Sequence, residues 1–172
     1  MSYLQKLISI KTFIFDVDGV LTDGSVLVTE SGEHLRNMNI KDGYALQLAI
    51  KKGYRIAIIS GGYSSGVLDR FKKLGVIDVF MNSHNKIEVF TKFVSDNSLN
   101  PDEILYMGDD IPDCEVLQKV GIPTCPADAV EEVKEICTYI SDKIGGKGAV
   151  RDVIEQVLKV QDNWMNQDAY KW

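Results

Sequence analysis

Thr12 to Asp23 reads Thr-Phe-Ile-Phe-Asp-Val-Asp-Gly-Val-Leu-Thr-Asp, an apolar run that ends abruptly in carboxylates and a glycine. Residues Thr12 to Phe15 are β-branched or aromatic, the pattern of a strand buried on both faces in a parallel sheet covered by helices. Asp16 and Asp18 then emerge at its C-terminal end, the edge where open α/β sheets bind their ligands. A plain strand-ending turn would use the same residues, because Asp and Gly are ordinary turn formers. The rest of the chain has to separate these two readings.

The pattern of the remaining sequence is strand alternating with helix. A short amphipathic lead-in with Leu4, Leu7 and Ile8 at helical spacing precedes the first strand, and two β-prone pieces around Glu30-Ser31-Gly32 predict a hairpin over residues 25–38. Asp42 is placed to cap a helix from Gly43 to Lys52 that Gly53 stops. Further strands are expected at Tyr54 to Ser60, Val76 to Met81, Glu103 to Met107, Pro123 to Cys125 and Thr138 to Ser141. Helices are expected from Ser64 to Leu74, Asn85 to Asp96, Glu115 to Val120, Ala129 to Cys137 and Ala149 to about Val160. This order specifies a Rossmann-like, doubly wound parallel α/β sheet with right-handed crossovers. Residues 162–172 lack periodicity and read as a tail after a single domain over 1–161.

Composition narrows the function. At 172 residues and 45% hydrophobic content, one globular core is expected and two would be cramped. A net charge of -6, with no cluster of Lys and Arg, argues against a nucleic-acid partner. Cys114, Cys125 and Cys137 form no Cys-x-x-Cys pair and are expected as reduced residues of a cytoplasmic protein. With His34 and His84 as the only imidazoles, zinc is not expected. No signal-like segment or membrane-spanning apolar run is visible.

In a parallel sheet the strand ends share one edge, so their polar groups can converge. Asp16 and Asp18 end the first strand, Ser60 the second, and Asp109, Asp110 and Asp113 the fourth, while Lys86 opens the helix after the third. Crowded carboxylates repel one another and call for a hard divalent cation; oxygen-only ligands favour Mg²⁺. A lysine and a hydroxyl beside a carboxylate-held Mg²⁺ make a phosphate cradle. The residues themselves thus point to magnesium-dependent phosphoryl chemistry. Taken singly, Ser60 would be a helix cap and Lys86 a solvated lysine.

The same set resembles the four motifs of the haloacid dehalogenase superfamily: Asp16-x-Asp18-Gly19-x-Leu21, the apolar strand ending in Ser60-Gly61, Lys86, and Gly108-Asp109-Asp110-x-x-Asp113. By that resemblance Asp16 is the nucleophile that becomes an aspartyl phosphate, and Asp18 is the acid for the leaving alcohol and then the base for water. It also implies that Asp16, the main-chain carbonyl of Asp18 and Asp109 hold Mg²⁺, that Asp110 and Asp113 support them, and that Ser60, Gly61 and Lys86 bind the phosphoryl oxygens.

Many relatives insert a cap domain, and here the segments that could hold one contain only the hairpin and one helix with one strand. Closure of an open site then falls to a macromolecular substrate or to a neighbouring subunit, and since the acidic balance disfavours a nucleic acid, a homo-oligomer is expected. Over nearly its whole length the chain is similar to the capless 3-deoxy-D-manno-octulosonate 8-phosphate phosphatases, through Phe15 to Gly24, Asn39 to Tyr44, Met107 to Asp110 and Gly146 to Arg151. That likeness implies a homotetramer whose hairpins form a barrel beside the sites. It further implies a sugar-acid pocket lined by Asn39, Ile40, Lys41, Asp42 and Gly43, with Arg70 reaching in from a neighbouring chain, and a glycine-rich Gly145 to Gly148 and aromatic tail folded over an adjacent site. The departure is at Gly62, where an arginine is common. Similar phosphatases act on nine-carbon acids, 2-keto-3-deoxynononate 9-phosphate and N-acetylneuraminate 9-phosphate, and these are the alternative substrates. A catalytically silent scaffold, a phosphomutase and a dehalogenase are the other readings of such a fold.

Overall fold

The computed structural model describes residues 2–171; Met1, and Trp172 at the end of the expected tail, lie outside the described residues. The chain runs through helix α1 (Tyr3–Leu7), strand β1 (Thr12–Phe15), a ribbon of β2 (Leu27–Val28) and β3 (His34–Leu35), α2 (Ile40–Lys51), β4 (Arg55–Ile59), α3 (Ser65–Leu74), β5 (Asp78–Phe80) and α4 (Lys86–Asp96). It continues with β6 (Ile104–Met107), α5 (Cys114–Leu117), β7 (Ile122–Cys125), α6 (Glu131–Ile136), β8 (Tyr139–Ile140) and α7 (Ala149–Val160).

The expected doubly wound sheet forms, with strand order β5-β4-β1-β6-β7-β8 and every pair parallel. All four residues of β1 are buried, because successive side chains enter opposite layers. Phe13 and Phe15 join Leu46, Phe71 and Val153 in the layer under α1, α2, α3 and α7, whereas Ile14 joins Phe90, Val116 and Val133 under α4, α5 and α6. From β1 the chain moves outward to β4 and β5, then crosses back to β6 on β1's other side. Beside β1 the winding therefore reverses, and such sheets leave a crevice at the strand ends there.

Some boundaries differ from expectation for identifiable reasons. Helix α2 starts at Ile40, three residues before the predicted start, because Asn39 and not Asp42 is its cap: Asn39 Oδ1 accepts from the Lys41 amide at 2.8 Å. Asp42 instead turns inward, fully buried, and accepts from the Arg151 amide at the start of α7 at 2.8 Å. In α1 only Leu7 of the three expected apolar positions is buried, while Leu4 and Ile8 face outward. Helix α3 matches its limits: Ser64 caps it and Gly75, at φ +86°, ends it.

The tail is fastened to its own chain. The Tyr44 hydroxyl donates to the Ala169 carbonyl at 2.6 Å, Lys52 pairs with Asp168, and the Arg151 guanidinium contacts the rings of both Tyr44 and Trp164. Within the chain the tail's partners thus come from α2, from Lys52 just beyond it and from α7. Gly145 and Gly146 also pack within the chain: a Cβ on Gly145 would fall 1.9 Å from the Gly19 carbonyl oxygen, and the Gly146 amide donates to Val20 at 2.9 Å. The glycines admit the loop before α7 beneath the acidic loop after β1.

Candidate active site

Asp16 leaves β1 at the switch point with its carboxylate folded onto its own loop, Oδ1 accepting from the Val17 amide at 2.6 Å. Its Oδ2 lies 2.8 Å from the Lys86 ammonium, which also reaches Asp113 Oδ1 at 2.7 Å. All three side chains are at least nine-tenths buried. Two carboxylates can share a buried ammonium because lysine has three N–H donors, and the third is left over. Burial alone would lower the Lys86 pKa, but the charges of Asp16 and Asp113 prevail and hold it raised, so the ammonium stays charged.

Asp113 is the hub of the acidic end. Oδ1 also accepts from the Tyr106 hydroxyl, and Oδ2 accepts from the amides of Asp109 and Asp110 at 3.1 and 3.4 Å. Gly108 is required for this approach, since a Cβ there would stand 2.4 Å from Asp113 Cγ. Asp110 faces the other way and caps the turn it begins, accepting from the Ile111 amide at 2.8 Å. Asp109 is left with a carboxylate that accepts no hydrogen bond from the described residues. It lies over Gly19, where φ is +83° and a Cβ would meet Asp109 Oδ2 at 1.9 Å.

Asp16, Asp109 and Asp113 each offer an oxygen within 4.8 Å of the others. Burial pushes the Asp16 carboxyl up to about 6, against the pull of Lys86 and with the help of Asp113's charge. Burial, then repulsion from Asp16 and Asp113, pushes Asp109 up to about 7. One ammonium cannot neutralise three carboxylates. The all-oxygen donor set, the unengaged Asp109 and the Asp18 main-chain carbonyl, which accepts no hydrogen bond from the described residues, suit a hard divalent cation.

These groups line one cleft of about 400 Å³ together with Ser60, Gly61, Gly62, Ser83 and His84. The sequence-identified Asp16, Asp18, Asp109, Asp110, Asp113, Ser60, Gly61 and Lys86 are all brought to it. Ser60 is buried and its hydroxyl accepts only a long bond, 3.4 Å, from the Gly62 amide; the cap of α3 is Ser64 instead. Asn39, Ile40, Lys41, Asp42 and Gly43 do not line this cleft. Asn39 lies in a small neighbouring hollow with Asp23 and Lys147, Asp42 and Gly43 are buried, and Ile40 and Lys41 face outward. Arg70 packs against Gly43 of its own chain, Nη2 lying 2.6 Å from where a Cβ would be.

Sequence reasoning assigned no role in the cleft to three residues that the structure brings to it. Tyr106 sits within an apolar strand run and reads as core, although a phenol among aliphatic residues is a signal that its hydroxyl needs a partner. Arg36 arrives from the end of the β2–β3 ribbon and donates Nε and Nη2 to the two carboxylate oxygens of Asp18 at 2.7 and 3.0 Å. His84, considered in the sequence as a possible zinc ligand, is exposed and lines the cleft.

Comparison with known proteins agrees with this geometry. A family model for haloacid dehalogenase-like hydrolases matches residues 71–154. The chain is 34% identical over 158 residues to the 3-deoxy-D-manno-octulosonate 8-phosphate phosphatase of Salmonella typhi, covering 92% of this chain and 84% of that one. The corresponding phosphatase of Moraxella catarrhalis, solved with magnesium, phosphate and 3-deoxy-D-manno-octulosonate, superposes with TM-score 0.91 at 32% identity, covering 94% of this chain and 92% of that one. A cobalt-bound form of the Haemophilus influenzae phosphatase gives TM-score 0.89 at 27% identity over 95% of this chain and 94% of that one. Sequence and fold agree along almost the entire length, and the chain belongs to the haloacid dehalogenase superfamily, beside the 3-deoxy-D-manno-octulosonate 8-phosphate phosphatases.

Proposed function

We propose that the chain is a Mg²⁺-dependent phosphatase that converts 3-deoxy-D-manno-octulosonate 8-phosphate to 3-deoxy-D-manno-octulosonate and phosphate, a step toward lipopolysaccharide sugars. The observation that carries this is the convergence of Asp16, Asp109, Asp113 and Lys86 at the switch point, in a chain whose relatives bear that activity. Asp16 attacks phosphorus, the bond from phosphorus to the sugar oxygen breaks, and Asp18 gives that oxygen a proton. Asp18 then takes a proton from water as the water oxygen bonds to phosphorus and the bond to Asp16 breaks. The third N–H of Lys86, with Ser60 and Gly61, holds phosphoryl oxygens, while Asp113 fixes Lys86 and Asp110 fixes the turn. Asp16, Asp109 and the Asp18 carbonyl would hold Mg²⁺, which supplies charge against the phosphoryl group when bound.

The ribbon supports a homotetramer. Leu27 and Val28 are 67% and 61% exposed, an apolar strip that a neighbouring subunit would cover while closing the open cleft. Three free cysteines favour the cytoplasm, and among the described residues no helix is long and apolar enough to cross a membrane. Phosphate release with Mg²⁺ from octulosonate 8-phosphate and the nine-carbon acid 9-phosphates tests the reading and ranks the substrates. Asp16→Asn is expected to lower kcat by at least about 10³-fold; full activity in that variant refutes the nucleophile.

A further inference from the structure

Two of the groups that would hold Mg²⁺ come from separate loops, the Asp18 carbonyl from the loop after β1 and the Asp109 carboxylate from the loop after β6. These loops touch where Asp109 covers Gly19. A second connection between them runs through residues 126–130, after β7, and residues 141–146, after β8. One end of it is Val130, whose amide donates to the Asp109 carbonyl at 3.0 Å. The other end is the pair Gly145 and Gly146, packed against the carbonyls of Gly19 and Thr22, with the Gly146 amide donating to Val20 at 2.9 Å. The two segments are joined by the Ala127 amide, which donates to the Lys143 carbonyl at 2.9 Å, and by one side chain: Asp128 Oδ1 accepts from the Gly145 amide at 2.9 Å.

Asp128 is exposed, does not line the catalytic cleft and is not among the three converging carboxylates. Its partner is different. Gly145 is buried, so loss of the Asp128 oxygen leaves a buried amide unpaired, and the loop has to shift to satisfy it. Such a shift cannot be absorbed locally. Gly145 sits so close to the loop after β1 that a Cβ on it would stand 1.9 Å from the Gly19 carbonyl oxygen and 2.8 Å from that of Thr22. Movement of Gly145 therefore moves the peptide that follows Asp18, while Asp109 stays with Val130. Mg²⁺ demands near-ideal octahedral geometry at about 2.1 Å, so small displacements between its ligands cost affinity.

We propose that Asp128 is a positioning residue for the metal: by holding the Gly145 amide it sets the separation of the Asp18 carbonyl from the Asp109 carboxylate, and with it the affinity for Mg²⁺. The inference rests on the phosphatase reading and adds to it a residue that touches neither metal nor substrate. A carboxylate suits the task because it accepts without donating and its charge strengthens the bond to an N–H.

The test follows Mg²⁺ in two ways, as the concentration giving half of the shift in thermal melts and as the concentration giving half-maximal phosphate release from 3-deoxy-D-manno-octulosonate 8-phosphate. Asp128→Ala is expected to raise both midpoints by about ten-fold, while the substrate KM at saturating Mg²⁺ stays near that of the wild type. Asp128→Asn keeps the accepting oxygen without the charge and should restore most of the affinity. Asp128→Glu keeps the charge but lengthens the link by a methylene, so it should raise the midpoints as well, which preserves the test if the alanine variant does not fold. Unchanged midpoints in the alanine or glutamate variant, even with a lower Tm, overturn the proposal and leave Asp128 as a loop fastener. An asparagine variant as weak as alanine also overturns it, by assigning the effect to charge. A wild-type protein that neither gains stability from Mg²⁺ nor releases phosphate would instead overturn the phosphatase reading itself.

Discussion

Asp113 organises the site without being the residue that reacts. Its two oxygens collect Lys86, Tyr106 and the amides of Asp109 and Asp110, so the direction of the ammonium and the path of the loop after β6 depend on one buried carboxylate. Sequence placed Asp113 in the site through its spacing from Asp109 but left it a supporting role, because a motif gives the order of its residues and not the hydrogen-bond partners that a buried carboxylate collects. Tyr106 was illegible for a related cause: its ring belongs to the apolar layer and only its hydroxyl to the site. Tyr106→Phe keeps the ring and deletes that hydroxyl, leaving Asp113 with Lys86 alone on Oδ1. We expect a loss of about 1–2 kcal/mol in denaturant unfolding, with kcat reduced more than KM is raised, because Lys86 loses definition. Unchanged stability would show that the phenol bond contributes nothing.

At the scale of elements, local rules were legible where the chain follows them and not where packing overrides them. Helix α3 was readable from Ser64 and Gly75 because both termini use ordinary caps. Helix α2 was not, since Asp42 before a glycine looks like a cap, and only the presence of α7 above it explains why that carboxylate turns inward. The ribbon was visible as two β-prone pieces, but its paired part is just Leu27–Val28 against His34–Leu35, with apolar side chains outward. So small a ribbon buries little by itself, and two strands alone are marginal in water. A charge on that strip should therefore act on assembly and not on the subunit: Val28→Lys is expected to convert an oligomeric elution volume to a monomeric one in gel filtration and to lower kcat/KM together with it. A wild-type protein that elutes as a monomer would remove the argument.

For the whole molecule, the acidic cluster sets how stability responds to pH and to metal. Asp16 and Asp109 are raised from 3.8 to about 6 and about 7, chiefly by burial. In the metal-free fold they keep protons that the unfolded chain has already released. Between about pH 4 and pH 7 these two groups therefore make stability fall as pH rises. A cation bound by the folded state alone reverses the penalty, by about 2.7 kcal/mol at a hundred times its Kd, or about 5–10 °C in Tm for a chain of this size. Thermal melts should show this gain from Mg²⁺ at pH 8 and little of it at pH 5, where protons compete for the same oxygens; equal gains at both pH values would contradict the assignment. The sheet order and the convergence of strand ends were legible because a parallel α/β sheet offers few alternatives, whereas the meeting of Arg36 with Asp18 depends on a ribbon whose direction no local pattern fixes. The seat of Gly145 and Gly146 beneath the loop of Gly19 to Asp23 carries a consequence for biosynthesis. A nascent chain that has emerged only as far as α6 already possesses every acidic side chain of the site, yet lacks the floor on which the loop after Asp18 rests. Catalytic competence should thus arrive with the last helix, so that an incomplete translation product is inert.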